Sequence, residues 1–547
     1  MFDFKKAALL LGLLSSSAVT ASLAHAAETA PGISNFKKPF NEYTWVTAHN
    51  GYQDDKRTQL DRGVRGFMLD LHPGNLGSKD VYLCHTTENG TCDVRRDKKF
   101  TDALNKVFLP FLRGNPNAVV TLRLENYVDR ATLQNALERV PGLEDWVFDP
   151  APYAGTSNWP TLEQMIRSGR RLVILTDRHE GGYRIRGKTV NLLKDSLWEK
   201  QNHWELGTSI FKHDWSCPSR WRTYSSSVGA GGFERWPRLF IMNQFHAWGS
   251  TAAHAADVDN NLTWLERRVD NYCAAALGRR TAPNFLAIDF NQTGDAFAYA
   301  AALTQGGFYF HEKNRADPTG DTTCVIPAGQ HHNLRLPGRG CENDEARSLK
   351  LRGIVKGTRI SVYDSPAASK QDDYAVIDIK RDIGLNESVV VDTFEKSYES
   401  ADLKVVYVRN NGLDGKVSRV ITGTTPTNFS DANVVLYEGN SARQNVVCTV
   451  SLAGSLRFNF GGSCDNDEAR SAKILKAKAG TRFWVYGNKD QKENQGWARI
   501  EVLTDITQPV VVGSFERSHN AGAWRIIRGG AKNQLDGKVS SMKIERP

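Results

Sequence analysis

Apolar runs of strand length alternate with amphipathic stretches through the first half of the chain. The runs are Gly66 to Leu71, Val119 to Leu124, Arg171 to Leu175, Leu239 to Met242 and Asn284 to Phe290. Between them, Ala103 to Leu109, Arg130 to Arg139 and Leu162 to Arg167 carry apolar residues at helical spacing. Strands apolar on both faces and alternating with helices predict a parallel sheet covered on both sides. Polar residues stand at several strand ends, namely Asp70, Glu125, Asp177, Asn243 and Asp289. A β/α barrel assembles its active site at such ends, so an α/β barrel of TIM-like form is expected over residues 36–318. A doubly wound sheet is the second choice, because no glycine-rich phosphate fingerprint follows the first strand.

The rhythm then changes to short alternating strands with Gly and Asp turns, and it repeats. Cys341-Glu-Asn-Asp-Glu-Ala-Arg-Ser348 returns as Cys464-Asp-Asn-Asp-Glu-Ala-Arg-Ser471. Gly357-Thr-Arg-Ile-Ser-Val-Tyr363 returns as Gly480-Thr-Arg-Phe-Trp-Val-Tyr486, Thr393-Phe-Glu395 as Ser514-Phe-Glu516, and Leu413-Asp-Gly-Lys-Val-Ser418 as Leu535-Asp-Gly-Lys-Val-Ser540. Four landmarks in one order predict two tandem all-β domains, 322–423 and 444–545.

Composition narrows the setting. The 547 residues are 40% hydrophobic and 24% charged with a net charge of +9, which excludes low-complexity disorder and a collagen-like fibre. The aromatic load of 13 Trp, 16 Tyr and 24 Phe suits a protein that handles carbohydrate or lipid. Lys5 and Lys6 precede the apolar run Ala7 to Leu14, and Ala24-His25-Ala26 offers a small-x-small cleavage site. Residues 1–26 therefore read as a secretory signal peptide, and the protein is expected outside the cell or in the periplasm. Export permits disulfides, and the eight cysteines pair by position as Cys84/Cys92, Cys217/Cys273, Cys324/Cys341 and Cys448/Cys464. Spacing alone leaves on the order of a hundred connectivities open, but the last two pairs occupy equivalent places in the repeats.

Two histidines carry the candidate chemistry. His49 in Val46-Thr-Ala-His-Asn-Gly-Tyr52 and His85 in Val81-Tyr-Leu-Cys-His-Thr-Thr87 each follow a short strand-like segment, with Asp70 between them. One imidazole can accept a proton while the other donates one, which is what cleavage of a phosphodiester by general base and general acid requires. Asn50 and the neighbouring carboxylates could hold a cation against the phosphate oxygens.

These motifs resemble the X-type catalytic domain of phosphatidylinositol-specific phospholipase C. The resemblance covers about residues 40 to 300. It rests on Thr47-Ala-His-Asn50, Gln59-Leu-Asp-Arg-Gly-Val-Arg-Gly-Phe-Met-Leu-Asp70, Leu83-Cys-His-Thr86, Asn115-Pro-Asn-Ala-Val-Val-Thr-Leu-Arg-Leu-Glu-Asn126, Arg170-Arg-Leu-Val-Ile-Leu-Thr-Asp177 and Pro283-Asn-Phe-Leu-Ala-Ile-Asp289. It implies that His49 deprotonates the inositol 2-hydroxyl and that His85 protonates the departing diacylglycerol oxygen. The implied products are an inositol 1,2-cyclic phosphate and diacylglycerol. Asp289 matches the aspartate that supports the first histidine. Asn50, Asp70 and Glu125 match calcium ligands, whereas a further ligand, a glutamate, is replaced by Met68. Aspartate at position 70, where metal-independent members carry arginine, favours the calcium-dependent type. Arg178 lies beside a position that contacts inositol, and Arg123 is a second candidate for the charge that meets the substrate.

The repeats resemble βγ-crystallin-type domains more loosely. Asn343-Asp-Glu-Ala-Arg-Ser348, Asn466-Asp-Glu-Ala-Arg-Ser471 and Asp536-Gly-Lys-Val-Ser-Ser541 match their calcium loops in part, so the repeats are expected to bind Ca²⁺, a glycan or a cell surface. Every catalytic candidate precedes residue 300, so the repeats are expected to be dispensable for chemistry. The expected partner is a phosphatidylinositol-type lipid at a membrane surface, not nucleic acid, and the chain is expected to be a monomer. Two rivals share part of this pattern. A glycerophosphodiester phosphodiesterase or sphingomyelinase D-like enzyme expects a Glu-x-Asp pair where this chain has Met68-Leu-Asp70. A non-catalytic surface- or glycan-binding protein has no need of both histidines.

Overall fold

The computed structural model describes residues 35–545 apart from 86–89, 205, 208–211, 222, 247–254, 329–331, 335–340, 425–432, 453–455, 462–463, 507–508 and 532–533. The leader expected at 1–26 lies outside the described residues. Among those residues no helix is long and apolar enough to cross a membrane.

Eight parallel strands organise the first half: Trp45–Ala48, Gly66–Pro73, Val120–Asn126, Leu172–Thr176, Lys188–Lys194, Glu199–Gln201, Leu239–Gln244 and Phe285–Ile288. Each pairs with the next in chain order, and the last pairs with the first. One junction differs. Among the described residues no ladder joins Lys188–Lys194 to Glu199–Gln201, so the hydrogen-bonded path stays open at that seam.

Strand periodicity sorts the side chains into two layers. Val46 and Ala48, Phe67 and Leu69, Leu122 and Leu124, Ile174, Met242, and Leu286 and Ile288 share one apolar cluster with helical residues such as Leu60, Leu133, Leu265 and Tyr299. The alternate positions, Trp45, Met68, Val173, Leu175, Ile241, Phe285 and Ala287, form a second cluster with Phe40, Phe148, Trp159, Trp198 and Trp236. Much of the aromatic load is therefore core: Trp45, Trp159, Trp198 and Trp236 are all buried. His49, Asp70, Glu125, Asp177, Asn243 and Asp289 continue this second set at the C-terminal ends of their strands. One parity of the alternation thus carries every strand-end candidate to the same face.

Each β-repeat contains a four-stranded and a six-stranded antiparallel sheet, in the same strand order in both copies. In each copy a single apolar cluster draws on both sheets, as expected of a sandwich. The recurring residues hold one another. Ser418 donates to Asp344 (2.9 Å) and Ser540 to Asp467 (2.7 Å), while Arg470 reaches Asp536 (2.8 Å).

The first repeat begins before the expected boundary at 318. Strand Gly307–His311 follows the barrel helix Ala296–Gln305 directly, and it pairs with Thr322–Pro327 and Ser348–Arg352 of the repeat. Its Tyr309, with Val325, packs into the barrel's outer core cluster. Buried charges cross the same junction. Lys350 pairs with Glu266 (2.9 Å), Arg352 with Asp270, and Thr322 donates to Glu266 (2.6 Å). All eight cysteines are bridged in the four expected pairs.

Candidate active site

His49 and Asp289 each stand one residue beyond the paired positions Ala48 and Ile288, so register brings them side by side. The His49 backbone N–H donates to Ile288 O (3.0 Å), and His49 Nδ1 lies 2.9 Å from Asp289 Oδ1. A carboxylate only accepts, so Nδ1 carries the proton and Nε2 is left with a lone pair. Phe245 lies flat against the imidazole, with ring centroids 3.5 Å apart and planes 5° from parallel. The base candidate is therefore held at one edge and on one face.

Asp70 and Glu125 are direct register partners on adjacent strands. The Asp70 carboxyl is pushed up to about 6, first by burial and then by Glu125, while the charges of His49 and His85 pull it the other way. Both histidines thus lie within electrostatic reach of the same carboxyl. Tyr52 Oη lies 2.8 Å from Asn50 Oδ1 and 2.8 Å from Asp70 Oδ2. It has one proton for two acceptors, so one of those contacts lacks a proton whenever Asp70 is ionised. Asn50 adopts φ 46°, a left-handed conformation that asparagine tolerates. Tyr127 donates to Glu125, and both tyrosines are held well above the usual phenol range, first by burial.

This oxygen cluster fits a hard cation. Asn50, Asp70 and Glu125 all present oxygen, and Glu125 adds to the push on the Asp70 carboxyl as a like charge does. Met68, where a glutamate would add a ligand, is instead 6% exposed within the interior apolar cluster.

His85 is exposed and follows strand Val81–Leu83 by two positions. Cys84 beside it is buried and bridged to Cys92, which is itself tied to the end of strand Gly66–Pro73 by its N–H to Pro73 O (2.9 Å). Residues 86–89 of this loop lie outside the described residues.

Other candidates separate. Arg178 is exposed at the rim, with its guanidinium 4.9 Å from the Tyr127 ring centre. Arg123 is 3% exposed, with its guanidinium bound to Asp195 (3.0 Å) and Glu199 (3.3 Å) and 3.9 Å from Glu125. That burial corrects the expectation that Arg123 meets substrate: it braces the interior layer beneath Glu125. Asp177 accepts from the Asn126 N–H (2.8 Å), and Asn243 is bound to Asn202. Tyr52, Tyr127 and Phe245 were missed by sequence reasoning. Only Tyr52, two residues after Asn50, carried a positional signal.

Residues 43–192 match the family model described as PI-PLC X 1. A PI-PLC X domain-containing protein of Arabidopsis thaliana is 27% identical over 282 residues, covering 47% of this chain and 60% of that protein. An uncharacterized secreted protein of Arthroderma benhamiae is 26% identical over 302 residues, covering 49% and 61%. PI-PLC X domain-containing protein 1 of Arthroderma benhamiae is 29% identical over 150 residues, covering 25% and 47%. The chain thus spans about half to three-fifths of the length of these relatives. Among solved structures, a calcium-dependent phosphoinositol-specific phospholipase C from a Gram-negative Pseudomonas species is 15% identical, with 42% of this chain and 84% of that one covered at a TM-score of 0.25. A phosphatidylinositol-specific phospholipase C of Staphylococcus aureus is 11% identical, with 47% and 88% covered at a TM-score of 0.27.

Proposed function

We propose that this chain, whose residues 43–192 carry a PI-PLC X domain, is a phospholipase C-type phosphodiesterase. In this reading it cleaves phosphatidylinositol, or a related inositol phospholipid, to diacylglycerol and inositol 1,2-cyclic phosphate. The observation that carries the reading is the His49–Asp289 pair, at the same strand ends as the register partners Asp70 and Glu125. His49 Nε2 takes the proton of the inositol 2-hydroxyl as that oxygen bonds to phosphorus. Protonated His85 gives its proton to the diacylglycerol oxygen as the bond from that oxygen to phosphorus breaks. Asp289 fixes the tautomer of His49 and stabilises its imidazolium. Arg178 at the rim is the proposed contact for the headgroup.

Asn50, Asp70 and Glu125 are proposed to hold Ca²⁺. When bound, that ion supplies positive charge to the phosphate oxygens. Four disulfides and a relative described as secreted support an extracellular setting, with the lipid met at a membrane surface. The repeats are proposed as the part that meets a glycan or a cell surface.

The test is to incubate the protein with a panel of phospholipids, with and without Ca²⁺, and to identify the water-soluble product. Cyclic inositol phosphate is expected, and its formation should stop with chelator. Release of free headgroup alone, or no turnover of any lipid, would overturn the reading.

A further inference from the structure

At His246, next to Phe245 in the chain, lies a second cluster of chemistry-bearing side chains that the proposed reaction does not use. His213, His246 and Asp259 come from three separate segments, and one potential ligand atom from each lies within 4.8 Å of the others. His213 Nε2 is 2.9 Å from Asp259 Oδ1, and His246 Nδ1 is 2.8 Å from Asp259 Oδ2. His246 and Asp259 are buried, whereas His213 is partly exposed and gives the cluster a side open to solvent.

Two further observations bear on how the cluster would take an ion. His246 Nε2 is buried and has no hydrogen-bond partner among the described residues. That nitrogen is on the ring edge away from Asp259, so it can take the ring proton and leave Nδ1 to an ion. The plane of His213 is also fixed. Trp215 stacks on it with planes 10° apart, and Trp264 stacks on Trp215 with planes 4° apart. The Cys217–Cys273 bridge pins the same segment four residues on. Such anchoring sets donor directions before a ligand arrives.

We propose that His213, His246 and Asp259 form a zinc site distinct from the oxygen cluster at Asn50, Asp70 and Glu125. Two imidazoles and one carboxylate suit a borderline ion that takes nitrogen ligands, with water from the His213 side completing four-coordination. Arg268, buried nearby, donates to Asn243 O, Gln244 Oε1 and Ser216 O, and its charge reaches Asp259. A hard cation held by charge alone is disfavoured there, which separates zinc from calcium. Each neutral imidazole would ligate through the nitrogen that now faces Asp259, its proton moved to the other ring nitrogen.

The full chain, stripped with chelator and then freed of it, is titrated calorimetrically with Zn²⁺ alone. One site of micromolar or tighter affinity is expected. His213→Ala, the least buried member, should weaken it at least tenfold, and Asp259→Asn likewise. Asp70→Asn combined with Glu125→Gln should leave it unchanged. Should the Asp259 variant fail to fold, Co²⁺ with the wild-type chain gives a second readout, an absorption of tetrahedral type that His213→Ala removes. Absence of a Zn²⁺ site in the wild-type chain, or equal affinity in folded His213→Ala, would overturn the proposal.

Discussion

At the residue scale, the proposed division of the proton transfers between the two histidines is tested by the leaving group. His49→Ala and His85→Ala should each lower turnover by roughly 10²- to 10⁴-fold, as lost general acid–base catalysis does. A substrate with a leaving group of low pKa should restore His85→Ala and not His49→Ala; equal rescue would refute the division. Asp70 makes a prediction about stability. Its folded pKa of about 6 exceeds the ordinary 3.8, so the folded chain binds its proton more tightly than the unfolded one. The stabilisation is fully present below pH 4 and is lost as pH rises through 6. Asp70→Asn should therefore stabilise the barrel at pH 7 in chelator by up to roughly 3 kcal/mol, the worth of about two pKa units, and by little at pH 4. Denaturant unfolding at both pH values measures this. Strand-end residues such as His49, Asp70, Glu125 and Asp289 were legible because a polar residue closing an apolar run stands out. Phe245 and Tyr127 were not, because ring stacking and a phenol turned back onto a carboxylate depend on contacts between strands. Arg123 was misread for the same reason: its partners Asp195 and Glu199 lie far along the chain.

At the scale of elements, the alternation of apolar runs and helical stretches located the parallel strands, but it left open which parity faces inward. Pairing Ala48 with Ile288 and Asp70 with Glu125 settles that, and sequence carries register only weakly when both faces are buried. His85 stands on no parallel strand: antiparallel strand Val81–Leu83 and the Cys84–Cys92 bridge position it. Cys84→Ser with Cys92→Ser should leave the barrel folded and lower turnover about tenfold or more. Because the bridge serves the residue proposed to protonate the leaving group, the loss should shrink for substrates whose leaving group needs no proton. A loss independent of the leaving group would show that the bridge serves general stability instead.

At the scale of the whole molecule, the expected boundary at 318 falls inside a packed sheet. The apolar run at 307–310 follows a barrel helix, as the preceding strands do, so its rhythm belongs to the barrel while its hydrogen bonds belong to the repeat. A chain ending at 318 strips strand Gly307–His311 of both partners, removes Val325 from the barrel core and takes Lys350 and Arg352 from Glu266 and Asp270, leaving Asp270 its pair with Arg280. Losing both strand ladders, an apolar core contact and these ion-pair partners together is destabilising. Such a chain should aggregate or unfold well below the intact protein, whereas one ending at 424 should keep the barrel's Tm and its turnover of soluble substrate. Equal Tm for both shortened chains would show that the first repeat is an appendage.

The close approach at Gly306 reaches further than stability. A Cβ there would meet Gly353 O at 2.2 Å, so the backbones of barrel and repeat touch with no side chain between them. Barrel and first repeat therefore turn as one body rather than as beads on a string. Whatever surface the repeat grips sets the tilt of the barrel mouth above it. Under the proposed function, the mouth that meets the lipid headgroup is then aimed by a domain that holds none of the candidate catalytic residues.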